Sequence, residues 1–410
     1  MNPPLVLDPA GRDRDAESAV LHTSSATRVD ILGVQAWAVA DPTVLLSLLK
    51  DPRVSKDAHQ QWPQLPEVVG TWPLALWVAV RSMFTAYGPD HRRLRRLVSG
   101  AFTARRIQAL RPRIEQMAAD LLDELAAMPA GAAADLRERL AYPLPIRVIS
   151  HLMGLPEHLQ HQFRSNVDNV FDTTLTAAQA HANTEALYAM LAELSATKRA
   201  APGDDMTSLL IAARDTEGDG TALTEQELLD TLLLVISAGY ETTVNLIDNA
   251  LTALLGDPGQ LDHVRAGRAS WGDVVEESLR HSAPVAHLPL RYAVADVELP
   301  DGLTIPRGDA ILASYAAAGR HPAVHGEDAD AFDALRAVKD HLAFGNGVHF
   351  CLGAPLARME AEVALRLFFE RFPEAAFAPG TRLRSLESLI SNGHQELPVA
   401  LGPDRAAHRP

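Results

Sequence analysis

The run from Thr224 to about Leu255 constrains this chain more than any other stretch. It opens on Thr224-Glu225-Gln226-Glu227, a threonine followed three residues later by a glutamate, the reciprocal pair that caps a helix N-terminus. Roughly thirty residues at about 1.5 Å each give a helix of roughly 45 Å, long enough to cross a whole domain. Leu232, Leu233, Leu234, Val235 and Ile236 leave it apolar nearly all round, so it must be buried. In its middle stands Ala238-Gly239-Tyr240-Glu241-Thr242-Thr243, where helix propensity favours neither glycine, threonine nor a buried acid. Local conflict of that sort marks a functional site.

The rest of the chain supplies the body around that helix. Apolar residues recur at three- and four-residue spacing, as at Leu110, Ile114, Met117, Ala118, Leu121 and Leu122, which predicts a mainly α fold. Short alternating runs near residues 28–39 and 291–311, with turns at Asp301-Gly302 and Arg307-Gly308, predict small β-sheets at its edge. No Gly/Ser/Pro-rich linker divides the 410 residues, so residues 1–410 are expected to form a single domain, with about residues 1–20 flexible.

The N-terminus lacks a basic-then-apolar signal pattern, and no apolar run is long enough to span a bilayer; no membrane anchor and a cytoplasmic location are expected. A net charge of −15 argues against nucleic acid as a partner. One segment departs from that average: Arg92, Arg93, Arg95, Arg96, Arg105, Arg106, Arg111 and Arg113 accumulate with no acid between them.

Cys351 is the only cysteine, which fits a reducing compartment and leaves its thiol free. It lies in Phe344-Gly345-Asn346-Gly347-Val348-His349-Phe350-Cys351-Leu352-Gly353, ahead of an amphipathic helix predicted from Ala354-Pro355 to about Phe372. Proline suits a first helical turn, where its missing N–H goes unused. A cysteine just before a helix N-terminus has dipole and amides that favour the thiolate. The glycines let backbone approach a flat partner closely. A lone cysteine is more commonly inert core, and it is the pattern around this one that sets it apart.

Phe344, Gly345, Gly347, His349, Cys351 and Gly353, continued by Ala357, Arg358 and Glu360, match the heme-binding loop of the cytochrome P450 family, and the chain resembles that family from about His91 to the turn before Leu397-Pro398-Val399. The resemblance implies a single-domain cytochrome P450 fold with the long helix lying across heme b, and Cys351 as the iron ligand. Glu277-Ser278-Leu279-Arg280 looks like the family's Glu-x-x-Arg pair, joined by Arg336, which implies a buried, fold-fixing cluster rather than an exposed ion pair. His91, Arg95, Arg291 and His349 are similar to the family's propionate contacts, and the resemblance implies that Phe344, Gly353 and Ala238 also contact the cofactor. Glu241 and Thr242 resemble the acid–alcohol pair that relays protons to oxygen on the distal side. A threonine hydroxyl bonded back to the Ala238 carbonyl is the bland alternative. Tyr240 and Gly319-Arg320-His321-Pro322 depart from the family pattern.

The function implied is a monooxygenase using molecular oxygen on a bulky apolar small molecule such as a steroid, terpenoid or macrolide. Peroxide-driven oxidation and a non-catalytic heme sensor are the alternatives. Met83, Leu232, Val235, Ala238, Val285, Leu288 and Ile390 are the expected substrate contacts. The chain ends soon after the family's last turn, so electrons are expected from a separate ferredoxin and its reductase, docking on the arginine-rich segment. Two other patterns are decoys: Gly345-Asn346-Gly347 lacks the third glycine of a dinucleotide loop, and Asp215, Glu217, Asp219 and Gly220 begin like a calcium loop whose twelfth position is Gln226 rather than a bidentate glutamate.

Overall fold

The structure, a computed structural model, describes residues 3–129, 131–216, 218 and 220–405; Glu217 and Asp219 of the calcium-like run lie outside them. Six strands form the larger sheet: β1 (Leu5–Val6), β2 (Thr27–Ile31), β3 (Val34–Val39), β4 (Val54–Ser55), β5 (His287–Ala293) and β6 (Ala310–Ser314), in the order β1-β2-β3-β6-β5-β4. The pairing β5–β6 is antiparallel and β3–β6 parallel. The remaining strands form a three-stranded and a two-stranded sheet. The helices that position the site are α1 (Gly88–Ser99), α2 (Glu225–Gly256), α3 (Trp271–His281) and α4 (Ala354–Arg371).

α2 is the long helix the sequence predicts. The Thr224 hydroxyl accepts from the Glu227 amide at 3.2 Å while Glu227 accepts from the Thr224 amide at 2.8 Å. Helices Pro143–Met153 and Ala177–Ala200, with α3 and α4, pack about it. Leu232, Ile236, Val244, Ile247 and Leu251 are all buried in the main core. Each such side chain contributes about 1.5–3 kcal/mol, which explains why so polar a centre is tolerated in the helix.

The described part of the first twenty residues makes contacts across the chain. β1 pairs with β2, and Arg14 donates to the Asn392 side chain at 2.7 Å and to the carbonyls of Ser388 at 2.7 Å and Ser391 at 3.0 Å. Contacts nearly four hundred residues away in sequence leave no local trace, which is why the segment looked loose.

Glu277 and Arg280 on α3 form the buried cluster expected of them. Arg280 binds Glu277 bidentately at 2.6 and 2.8 Å, both side chains fully buried, and Arg336 donates to the same carboxylate at 3.2 Å. Arg280 also donates to the carbonyls of Gly319, Ala329 and Ala331, so three distant turns converge on one guanidinium. His321 stands where the family pattern has an aspartate, and its Nδ1 accepts from the Ala323 amide at 3.2 Å, capping the short turn Pro322–His325 in the carboxylate's stead.

Candidate functional site

The loop before α4 is shaped by its own backbone. The Cys351 amide donates to the Phe344 carbonyl at 2.9 Å, and Gly345 to Leu342 at 2.7 Å. Gly347 has φ +69°, and a Cβ there would lie 2.6 Å from the Leu49 carbonyl oxygen, so only glycine fits. These constraints hold Cys351 immediately ahead of the α4 N-terminus. Burial pushes its thiol pKa up, against the pull of the Gly353 and Ala354 amides and of Arg95 and Arg358. Behind the loop, Arg358 lies 4.5 Å from the Phe344 ring centroid and binds Glu276 at 2.5 Å. Burial would raise the Glu276 pKa, but bonds from Arg358 and His341 hold it down at about 2.

A cavity of about 280 Å³ separates this loop from the middle of α2. Ala238, Gly239 and Thr242 line one side and Phe344, His349, Cys351 and Gly353 the other, with Arg95 and Arg291 also on its wall. The structure thus brings the cysteine loop and the polar break of α2 face to face, although more than a hundred residues separate them in sequence. Thr242 donates to the Ala238 carbonyl at 2.8 Å, the bond that the bland alternative describes.

Glu241 is not at the cavity wall. Its carboxyl turns into a buried polar cluster, where Oε1 accepts from Asn245 at 3.0 Å and Ser391 at 3.3 Å and lies 3.8 Å from Arg137. Arg137 continues to Asp248 at 3.1 Å, and Asp248 to His394 at 2.7 and 3.1 Å. Burial, partly offset by Arg137, pushes the Glu241 pKa up to about 7. Sequence reasoning missed this cluster, although Glu241, Asn245 and Asp248 at i, i+4 and i+7 form one polar stripe on an apolar helix, a readable signal. Tyr240 points away from the cavity and bonds the Asp168 carboxylate, so its departure from the family pattern does not touch the cavity.

His91 is buried, packs its ring 4.2 Å from that of His349, and its Nε2 has no hydrogen-bond partner among the described residues. It adjoins the cavity through His349 without lining it. Burial, together with Arg95 and Arg92, lowers the His91 pKa to about 4, and burial with Arg291 lowers that of His349. Arg95 donates to the Phe350 carbonyl at 2.7 Å, and Arg291 is buried beside Tyr315. Met83, Val235, Ala238, Val285 and Leu288 line the cavity; Leu232 and Ile390 do not, and both are fully buried in the core. On a helix apolar nearly all round, no polarity marks which leucine faces a ligand, so Leu233 and Leu234 take the places assigned to Leu232. Ile390 turns inward while its carbonyl accepts from the Ala286 amide at 2.7 Å. Lys56 and Phe84 also line the cavity and were not foreseen.

An unpaired cysteine at a helix start, a buried histidine nitrogen lacking a partner, and arginines facing one cavity make a cradle for a planar dianion bound through sulfur. These residues fit heme b, and they define a heme-thiolate protein. The sequence profile described as Cytochrome P450 matches residues 272–388. The chain is 41% identical to 2-hydroxy-5-methyl-1-naphthoate 7-hydroxylase of Streptomyces carzinostaticus, over 98% of this chain and 99% of that one. It is 37% identical to 6-deoxyerythronolide B hydroxylase of Saccharopolyspora erythraea, over 92% and 93%. Among solved structures, CYP154A1 from Streptomyces coelicolor A3(2) is 62% identical and superposes with a TM-score of 0.93, covering 97% of this chain and 100% of that one. The chain belongs to the cytochrome P450 family, whose members bind heme b through a cysteine thiolate, and it is a heme-thiolate monooxygenase.

Proposed function

We propose that Cys351 would hold the heme iron through its thiolate, that Arg95, Arg291, His91 and His349 would hold the two heme propionates, and that Glu241 and Thr242 deliver protons to oxygen. Phe344 and Gly353 line the cavity with Cys351, and Ala238 lines it from the long helix. The observation that carries this reading is the single cavity shared by Cys351 and Thr242, with Glu241 held behind it. Bound heme supplies the iron chemistry that splits molecular oxygen with two electrons. One oxygen atom enters a C–H bond, and the other leaves as water with two protons.

The chain's own part is to meter those protons. Thr242 presents a hydroxyl at the cavity wall, and releasing its bond to Ala238 frees it to donate to oxygen. Glu241, raised to about 7, is protonated below that pH and is held through Oε1 by Asn245 and Ser391 beside the buried Arg137–Asp248–His394 cluster. Thr242→Ala is expected to keep heme while diverting electrons to peroxide, and Thr242→Ser to restore coupling. Product formed per NADPH consumed, in a ferredoxin-driven assay, is the measurement; unchanged coupling in Thr242→Ala rejects the role. Coupling should also decline as pH rises through about 7, where Glu241 loses its proton, and Glu241→Gln should flatten that profile. Peroxide-driven oxidation needs no such relay, so the acid and alcohol favour the oxygen route.

The apolar lining, with Met83, Val235, Val285 and Leu288 about the opening of Ala238, supports hydroxylation of a bulky apolar molecule of steroid, terpenoid or macrolide size. The names of the related hydroxylases, one acting on a naphthoate and one on an erythronolide, agree with a polycyclic or macrocyclic substrate.

Electrons come from a separate ferredoxin and reductase in the cytoplasm. No helix among the described residues is long and apolar enough to cross a membrane. The docking face is smaller than the eight arginines suggested: Arg93 pairs with Glu227, Arg96 with Asp215 and Arg106 with Asp204, and Arg95 turns inward. Arg92, Arg105 and Arg113 stay exposed, and the exposed Val348 and Phe350 of the cysteine loop offer apolar contact. Arg92→Glu with Arg105→Glu should slow ferredoxin-supported reduction about tenfold at low salt and leave the carbon monoxide spectrum intact; stopped-flow reduction rates test it.

A further inference from the structure

The family pattern does not account for one cation on the cavity wall. Lys56 follows directly on β4, is 2% exposed, and lines the same cavity as Arg95, Arg291, His349 and Cys351. β4 and β5 pair antiparallel, with Val54 opposite Ala293 and Ser55 opposite Tyr292. Lys56 and Arg291 are the next residues beyond that pairing, both line the cavity, and the charge of Arg291 acts on Lys56. Two like charges are therefore side by side, out of water, an arrangement that opposes folding unless something neutralises it.

The chain offers little to do so. The Lys56 ammonium stands 3.8 Å from the Phe84 ring centroid, a contact that favours a cation without cancelling its charge. Burial and Arg291 both push the Lys56 pKa down, and no acid offsets them. Among the described residues, Arg291 is met by the neutral Tyr315 hydroxyl and Arg95 by a backbone carbonyl. Among the described residues this side of the cavity carries three basic side chains and no carboxylate bound to them. A carboxylate brought in by a ligand completes it.

We propose that Lys56 is a third cation of the propionate-binding wall and binds a heme carboxylate together with Arg291. The inference rests on the reading of Arg95, Arg291, His91 and His349 as propionate contacts. Heme is chosen over a substrate acid because Lys56 lies on the Arg291 side of the cavity, next to the β4–β5 pairing, while the substrate side is apolar at Met83, Val285 and Leu288. Two propionates against three cations leave the wall net positive, which favours the ferrous over the ferric state.

The test is heme transfer from the purified holoenzyme to excess apomyoglobin, read by absorbance, together with the heme reduction potential. Lys56→Met, whose chain fills the same apolar track, should release heme about tenfold faster and titrate at a lower potential, with its thiolate spectrum unchanged. Lys56→Gln should behave likewise, guarding against a packing defect in the methionine variant, and Lys56→Arg should return both values toward the parent. Arg291→Gln serves as the reference. If Arg291→Gln accelerates release while Lys56→Met and Lys56→Gln match the parent, the Lys56 assignment fails and the propionate wall stands without it. If neither Arg291→Gln nor the Lys56 variants change release, the wall itself has been misread. Unchanged release and potential with weakened binding of a long-chain fatty acid would assign Lys56 to a substrate carboxylate and overturn the proposal.

Discussion

Replacing Cys351 by serine should abolish the strongly red-shifted Soret band that the reduced protein shows with carbon monoxide, and with it all monooxygenase turnover. Serine is close to cysteine in size and Cys351 is largely enclosed, so the loop bonds from Cys351 to Phe344 and from Gly345 to Leu342 should survive. The cations at Arg95 and Arg291 are untouched, so heme is expected to bind still, more weakly and with a spectrum lacking the thiolate signature. That separation of ligation from binding makes the experiment decisive. A retained red-shifted band in Cys351→Ser would remove the basis for the assignment, because the sequence has no second cysteine.

The second large effect is on folding. Glu277→Ala would leave Arg280, fully buried, and Arg336, nearly so, without their shared carboxylate. Breaking a buried pair from one side costs about 3–5 kcal/mol, a large part of the roughly 5–15 kcal/mol that holds a typical protein folded. Arg280→Met should be similarly damaging, since it strands Glu277 and also strips a donor from the carbonyls of Gly319, Ala329 and Ala331. The double variant Glu277→Leu with Arg280→Met should be less unstable than the sum of the singles, because neither member of the pair is left charged without the other, while Arg336 keeps Asp328. Urea denaturation followed by circular dichroism measures all three, and singles within about 1 kcal/mol of the parent would contradict the cluster's role. The bonds to Glu277 outweigh burial and hold its folded pKa below the usual carboxylate value. Its contribution is therefore present above the unfolded pKa and lost as pH falls through the folded one, so acid should weaken the parent more than the double variant.

The core of the site was legible because its chemistry demands particular residues at short range. Gly347 is dictated by a positive φ and the Leu49 carbonyl, Cys351 by the helix that starts at Ala354, and the Thr224–Glu227 box by four consecutive residues. The cavity wall was legible in part: Val235, Val285 and Leu288 are on it, while Leu232 and Ile390 are core. Hydrophobicity says that a residue avoids water, and both a core and an apolar cavity satisfy that.

What the sequence determined by itself is therefore the long buried helix, the thiolate loop and the class of chemistry, each written in residues close together along the chain. Tertiary structure alone decided which way side chains turn. It drew Glu241 back to Arg137 and Ser391, spent half of the arginine cluster on Glu227, Asp215, Asp204 and the Phe350 carbonyl, and brought Lys56 and Arg291 to one cavity wall. Those outcomes depend on partners tens to hundreds of residues away, and a buried charge is fixed by whichever opposite group the fold brings within reach.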